Sequence, residues 1–265
     1  MKVEFNDVEL SYVDRGAGLP VLFVHGFPLD GTLWQPQLDG LSDEYRVIVP
    51  DLRGFGGSTV SLAMTMEQYA DDLQVLLDEL GIDEVVLAGL SMGGYIALAF
   101  CRLTPNRLRG LVLVDTRPQA DSDEARANRT ATGKRVMAHG AAALADSMLD
   151  RLLSPATFKD QPDLVSTVRD MMARQSAFGI VAALYGMSER PDSRPTLGDI
   201  SVPTLVMVGV DDVITPVAEA ESMVEAVPGS ELVVIPDAGH LSNLEQPQAF
   251  NQALREFLVS RVEGA

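Results

Sequence analysis

A serine flanked by glycines is the residue of this chain best placed to do chemistry. Ser91 lies in Gly89-Leu90-Ser91-Met92-Gly93, after an apolar, strand-like run over residues 85–88 and before a helix-like run over 95–100. A serine on such a tight strand-to-helix turn exposes its hydroxyl at the sheet edge, and the helix N-terminus stabilises negative charge beside it. The pattern predicts a nucleophile for acyl transfer, and the alternative is an ordinary Gly/Ser helix cap.

A serine nucleophile needs a base, because its hydroxyl is almost fully protonated at neutral pH. The chain contains three histidines, His25, His139 and His240. His240 follows a strand-like run over 231–235, so it lies on a loop at the carboxyl end of a strand, where open α/β sheets carry their chemistry. We expect His240 to be the base, and His25 and His139 to be structural.

The third member of a triad is an acid that orients the imidazole and stabilises its positive form. Asp211 and Asp212 directly follow a buried strand-like run over 204–208, and Asp115 ends another such run. All three aspartates are candidates. Thr215 is the expected N-cap of the helix that follows.

Five segments resemble motifs of the α/β-hydrolase fold superfamily and occur in its order. They are residues 25–28 (oxyanion loop), 51–58 (a glycine-rich turn), 89–93 (nucleophile elbow), 209–216 (acid loop) and 239–240 (histidine loop). Within the superfamily the chain looks like the carboxylesterases, the 3-oxoadipate enol-lactonases and the cofactor-free haloperoxidase and perhydrolase group. The resemblance implies a triad in the chain order Ser91, Asp212, His240.

The resemblance and the geometry of the elbow together imply an oxyanion hole built from the backbone N–H groups of Phe27 and Met92. In the perhydrolase branch, a proline at the position of Pro28 is associated with forming peracids; the alternative is that Pro28 only rigidifies its loop. Phe27, Trp34 and Met137 are expected to line the substrate pocket and to favour short acyl groups.

Composition narrows the function classes. The 265 residues carry a formal net charge of −18, which opposes binding to nucleic acid or to an anionic membrane. The chain has a single cysteine, Cys101, which excludes an internal disulfide. Acyl transfer on a serine calls for no metal or organic cofactor. With no long apolar run and no leader-like start, a cytoplasmic protein acting on a small molecule is expected, and a homo-oligomer is possible.

Strand-like and helix-like runs alternate along both ends of the chain, which predicts an α/β fold with a mostly parallel sheet covered on both faces. The strand-like runs are 21–24, 46–49, 85–88, 111–114, 204–208 and 232–235, with an edge hairpin predicted over 2–15. Between them, helices are predicted over 66–80, 91–103, 218–227 and 248–259. We assign residues 1–117 and 197–265 to the core, and 118–196 to a helical cap inserted after the sixth core strand, with helices over 126–138, 141–153, 163–177 and 178–187.

These observations favour a serine hydrolase that cleaves small carboxylic esters through an acyl-enzyme. A second hypothesis is hydrolysis of an acidic enol-lactone, for which Arg126, Arg129 or Arg135 of the cap would supply the cation. Perhydrolase or haloperoxidase chemistry is a side activity on the same residues. A non-enzymatic alternative is a ligand receptor that keeps the fold.

Overall fold

The computed structural model describes residues 1–264, within which eight strands form one sheet. The strands are β1 (Lys2–Phe5), β2 (Val8–Arg15), β3 (Pro20–Val24), β4 (Arg46–Pro50), β5 (Val85–Leu90), β6 (Leu108–Val114), β7 (Thr204–Gly209) and β8 (Glu231–Ile235). Their order in the sheet is β1-β2-β4-β3-β5-β6-β7-β8. The β1–β2 and β2–β4 pairs are antiparallel, and the other pairs are parallel. The predicted edge hairpin and parallel sheet are confirmed.

The helices lie between the strands, as the alternation of the sequence predicts. They are α1 (Gln35–Leu41), α2 (Met66–Glu79), α3 (Met92–Leu103), α4 (Asp123–Leu152), α5 (Pro155–Asp160), α6 (Pro162–Ala173), α7 (Ala177–Glu189), α8 (Val217–Ala226), α9 (Ser242–Glu245) and α10 (Pro247–Phe257). Short 3₁₀ turns occupy Gly31–Trp34, Pro105–Arg107 and Arg194–Asp199, and a π-helical turn over Leu258–Glu263 extends α10. None of the helices in residues 1–264 is both long and apolar enough to span a bilayer.

Alternating side chains of the central strands build two apolar layers, one on each face of the sheet. In β3, Leu22 and Val24 point to the layer shared with α2, α3 and α8. Val21 and Phe23 point to the opposite layer, shared with α1 and α10. Because side chains of a strand alternate in direction, a strand buried on both faces must be apolar throughout, as β3, β5 and β6 nearly are.

Helices α4 to α7 form the cap between β6 and β7. The two helices expected over 126–138 and 141–153 are two halves of α4, which kinks at Gly140, where φ is +80°. The short helix α5 is absent from our sequence expectation, since its six residues carry too little periodicity to read. Residues of this segment bond to the loops that follow β3, β4 and β8: Arg174 to Asp30, Gln175 to Gly56, and Leu152 to His240.

Candidate active site

Ser91 occupies the sharp turn between β5 and α3 in a backbone conformation that is rare for a residue with a side chain. Its φ is +54° and its ψ −110°, a strained geometry that fits a functional site. The flanking glycines permit it: a Cβ at Gly89 would lie 2.2 Å from the Gly93 carbonyl oxygen, and one at Gly93 would lie 2.2 Å from that of Val24. The elbow therefore tolerates no side chain at either position.

The three predicted triad residues meet at the carboxyl ends of β5, β7 and β8. The Ser91 hydroxyl oxygen lies 2.8 Å from His240 Nε2. On the other side of the ring, His240 Nδ1 lies 2.8 Å from Asp212 Oδ2. A carboxylate only accepts hydrogen bonds, so Nδ1 carries the proton and Nε2 is free to accept from the serine hydroxyl.

Asp212 is held in place by its own loop. Its Oδ1 accepts from the backbone N–H groups of Ile214 (2.7 Å) and Thr215 (3.0 Å), and its Oδ2 accepts from the Thr215 hydroxyl (2.7 Å). Our expectation that Thr215 caps the following helix is wrong: Pro216 occupies that cap position, and Thr215 faces the triad instead. The neighbouring Asp211 is exposed and does not contact the histidine.

Asp115, the competing acid, is fully buried but bonds to other partners. Its Oδ1 accepts from the Gly209 N–H (2.8 Å), and its Oδ2 accepts from the Ser242 hydroxyl (2.6 Å) and N–H (3.3 Å). It therefore ties the end of β6 to the acid loop and to the histidine loop. Burial, together with the nearby charge of Asp212, raises the pKa of Asp115 to about 8.

The charges around His240 favour its protonated form. Burial alone would lower its pKa, but the carboxylates of Asp212, Asp115 and Glu245 outweigh burial, and the pKa of His240 is raised. An imidazolium at this position is therefore stabilised. Burial opposes the charged form of Asp212 too, but the bonds and charge of His240 hold the pKa of that carboxyl below its usual value.

Among the backbone N–H groups near Ser91, neither that of Phe27 nor that of Met92 has a hydrogen-bond acceptor within the described residues. Gly26 brings the first loop close, because a Cβ there would lie 3.3 Å from Ser91 Cβ. His25 also holds this loop in place. Its Nε2 accepts from the Leu52 N–H (3.0 Å), and its Nδ1–H donates to the Gly26 carbonyl (3.0 Å). Buried and unpartnered donors of this kind suit an oxyanion.

The other two residues predicted to line the pocket lie elsewhere. Trp34 is fully buried in the core, with its ring centroid 4.9 Å from that of Phe23 and 6.0 Å from that of Phe250. Met137 lies half-exposed on the outside of the cap, in a groove that it shares with Val181. The structure brings neither side chain to the triad, because one faces the sheet and the other faces solvent.

Comparison with known proteins decides the family. A family model described as the alpha/beta hydrolase fold matches residues 20–247. This chain belongs to the α/β-hydrolase fold family. The hydrolase is 34% identical over 251 residues to 3-oxoadipate enol-lactonase 2 of Acinetobacter baylyi, covering 94% of this chain and 92% of that protein.

Solved structures resemble this α/β-hydrolase over nearly its whole length. A thermophilic esterase from Thermogutta terrifontis, solved with malate bound, is 50% identical, with a TM-score of 0.94 over 96% of this chain and 94% of that one. A bromoperoxidase from Bacillus anthracis is 27% identical, with a TM-score of 0.85 over 95% of each chain. These relatives agree with the family resemblance read from the five motifs.

Sequence reasoning missed two buried residues of the hydrolase site. The first is Thr215, whose contact with Asp212 was not predicted. The spacing of the two residues fits a local turn in which a carboxylate accepts from the backbone N–H groups two and three residues further along, so this contact was predictable. Glu245, five residues after His240, is 2% exposed and accepts three hydrogen bonds. No sequence pattern distinguishes such a glutamate from a solvated one.

Proposed function

We propose that this α/β-hydrolase cleaves small, neutral carboxylic esters through a covalent acyl-enzyme on Ser91. The observation that carries the proposal is the 2.8 Å approach of the Ser91 hydroxyl to His240 Nε2, beside the unpartnered N–H groups of Phe27 and Met92. A nucleophile in contact with its base, and donors waiting for an oxyanion, are the parts that acyl transfer needs.

Each residue of the site has a defined role in this mechanism. Ser91 Oγ attacks the ester carbonyl carbon while His240 Nε2 takes the hydroxyl proton, and the carbonyl oxygen becomes an oxyanion held by the Phe27 and Met92 N–H groups. The C–O bond then breaks, and His240 returns the proton to the leaving alkoxide. Water repeats the sequence on the acyl-enzyme, releasing the acid. Asp212 stabilises the imidazolium throughout.

The relatives support hydrolysis of this class, since they include a named esterase and a named enol-lactonase. The charges near the base favour a neutral substrate, because the groups that act on His240 are the carboxylates of Asp212, Asp115 and Glu245. A substrate carboxylate close to the serine would be repelled by those of them that are ionised, Asp212 above all, whose pKa is lowered.

The test is active-site labelling combined with a burst assay on p-nitrophenyl acetate. We expect a burst of p-nitrophenol equal to the enzyme concentration, and a phosphonate ester adduct on the peptide that contains Ser91. Ser91→Ala should remove both, whereas Ser166→Ala, on the exposed face of α6, should change neither. Binding of the ester without turnover by the wild-type protein would support a ligand receptor and overturn the proposal.

Enol-lactone hydrolysis is the second candidate, favoured by the 34% identity to the enol-lactonase of Acinetobacter baylyi. The arginines expected to hold its carboxylate do not face the site: Arg126 and Arg135 are exposed, and Arg129 pairs with Asp121. The test compares kcat/KM on the carboxylate-bearing enol-lactone of 3-oxoadipate with kcat/KM on neutral esters of two to eight acyl carbons, roughly the range that an apolar pocket resolves. A higher value on the enol-lactone than on any of the esters would select this candidate.

A further inference from the structure

Two buried carboxylates have no step in the mechanism, yet each closely follows a loop that carries part of the candidate site. Asp30 lies just after the oxyanion loop, three residues after Phe27, and is 3% exposed. Glu245 is the last residue of α9, the helix that follows the histidine loop, and it is 2% exposed. Buried carboxylates persist only where donors replace the water that they lose. The cap supplies several of those donors.

Asp30 is held by the end of α6. Arg174 donates to it through Nε (2.8 Å) and one terminal nitrogen (2.9 Å), and the Gln175 amide donates at 2.8 Å. The same Gln175 side chain accepts from the Gly56 N–H (3.0 Å), so it also reaches the glycine-rich turn of the core. Thr32 completes the set from within the loop itself.

Glu245 is held by the start of α5. Its Oε2 accepts from the Ser154 N–H (2.7 Å) and the Thr157 hydroxyl (2.6 Å), while its Oε1 accepts from the Gly239 N–H (2.8 Å). One carboxylate therefore joins the residue before His240 to the cap. The His240 N–H donates to the Leu152 carbonyl at the end of α4 (2.9 Å), which adds a second link.

We propose that the cap is a positioning element of the catalytic site, holding the oxyanion loop through Asp30 and the histidine loop through Glu245. This inference rests on the proposed esterase function. The two attachments lie on the two loops that must keep their places relative to Ser91, and small displacements of such groups cost rate rather than binding. Loosening either attachment should lower kcat and leave KM nearly unchanged.

The first experiment compares two arginines of the same cap segment. Arg174, half-exposed, pairs with Asp30 of the core, whereas Arg169, exposed to a similar extent, pairs with Asp146 inside the cap. We expect Arg174→Met to lower kcat about 10-fold or more on p-nitrophenyl acetate, with KM within about twofold. Arg169→Met should match the wild type, and Arg174→Lys should restore part of the loss.

The second experiment tests the histidine loop with a matched pair of threonines. Thr157→Val removes a donor to Glu245 without changing shape, and Thr167→Val removes a hydroxyl that bonds only within α6. We expect the first to lower kcat and the second to leave it unchanged. Both variants should keep wild-type circular dichroism.

A pH profile separates positioning from simple support of the fold. The charged groups that act on His240 are Asp212 and Asp115 besides Glu245. Glu245→Gln removes one of these negative charges, so the acidic limb of kcat/KM should move to lower pH. A Glu245→Gln enzyme that is less stable but keeps the wild-type acidic limb would contradict the role of Glu245.

The proposal as a whole is overturned if Arg174→Met and Thr157→Val keep the wild-type kcat, or if they change only KM and acyl preference. That second result would make the cap a substrate-selecting element alone. Failure of the proposed function looks different, because the wild-type protein would then show no Ser91-dependent ester turnover from which to measure a loss.

Discussion

At the residue scale, His240 works among carboxylates: those of Asp212, Asp115 and Glu245 favour its protonated form. The charges that raise its pKa stabilise the imidazolium, but in the proposed mechanism the imidazole must be neutral to accept the proton of Ser91. The same carboxylates that assist proton transfer therefore set the lower pH limit of activity.

We predict an acidic limb of kcat/KM above pH 6.5, the ordinary pKa of histidine. Activity should fall as pH drops through the raised pKa, because His240 becomes protonated in the free enzyme and cannot act as the base. Initial rates on a neutral ester between about pH 5 and 9 measure it. An acidic limb below pH 6.5 would mean that burial lowers the pKa of His240 by more than the carboxylates raise it.

The two aspartates nearest the histidine should respond differently to the same substitution. Asp212→Asn should lower kcat by roughly 10⁴-fold, because the two backbone N–H groups at Oδ1 take the amide oxygen, and the amide NH₂ then faces Nδ1 and favours the wrong ring tautomer. Asp115→Asn should leave most activity but cost about 1–3 kcal/mol of unfolding free energy, since the new NH₂ meets donors from Gly209 or Ser242. Steady-state kinetics and urea unfolding of both variants test this; a crippled Asp115→Asn enzyme would make Asp115 the catalytic acid.

Thr215 offers a milder test of the acid loop. Thr215→Val keeps the shape of the side chain but removes the hydroxyl that donates to Asp212 at 2.7 Å. Because Asp212 retains its backbone donors, we expect kcat to fall about 5- to 30-fold, the scale of one hydrogen bond of about 1–2 kcal/mol. A kcat equal to that of the wild type would show that the backbone donors alone hold the carboxylate.

At the element scale, the elbow depends on two close backbone approaches rather than on any side chain. A methyl group at Gly93 would meet the Val24 carbonyl at 2.2 Å, whereas one at Gly198 would meet nothing within 4 Å. We predict that Gly93→Ala costs at least about 2–3 kcal/mol of unfolding free energy and most of the activity, because the methyl group would push α3 away from the end of β3. Gly198→Ala should stay within about 0.5 kcal/mol of the wild type. Urea unfolding of the two variants makes the comparison.

The central elements and their order were predictable from the sequence, because strands buried on both faces must be apolar and helices repeat with their own period. The elbow was readable since glycine, serine and glycine fall between a strand and a helix. Two local features were not predicted from the sequence. Helix α5 has only six residues, and Thr215 bonds to Asp212 instead of capping α8. In both cases a few side-chain bonds decide the outcome, and periodicity says nothing about them.

At the scale of the whole molecule, contacts between distant parts of the chain escaped sequence reasoning. Trp34 was expected at the pocket but packs on Phe250, more than two hundred residues away. Glu245 bonds to Ser154 and Thr157, which lie 91 and 88 residues earlier in the chain. Such contacts depend on how the cap returns over the sheet, and an apolar or acidic residue type alone does not specify its distant partner.

The net charge of −18 gives the last prediction. Most arginines already pair with carboxylates, so the surplus acidic groups repel one another across the surface. Salt weakens that repulsion, and it also weakens the exposed ion pairs, but these contribute only about 0–1 kcal/mol each. We therefore expect the midpoint of thermal unfolding to rise when NaCl increases from about 10 to 300 mM, a range over which the screening length falls well below the molecular diameter. Sodium sulfate at equal ionic strength should give the same rise if screening is the cause, and a larger one if salt exclusion from the surface dominates. A midpoint that falls with NaCl would show that the ion pairs, not the surplus acids, govern the stability of this hydrolase.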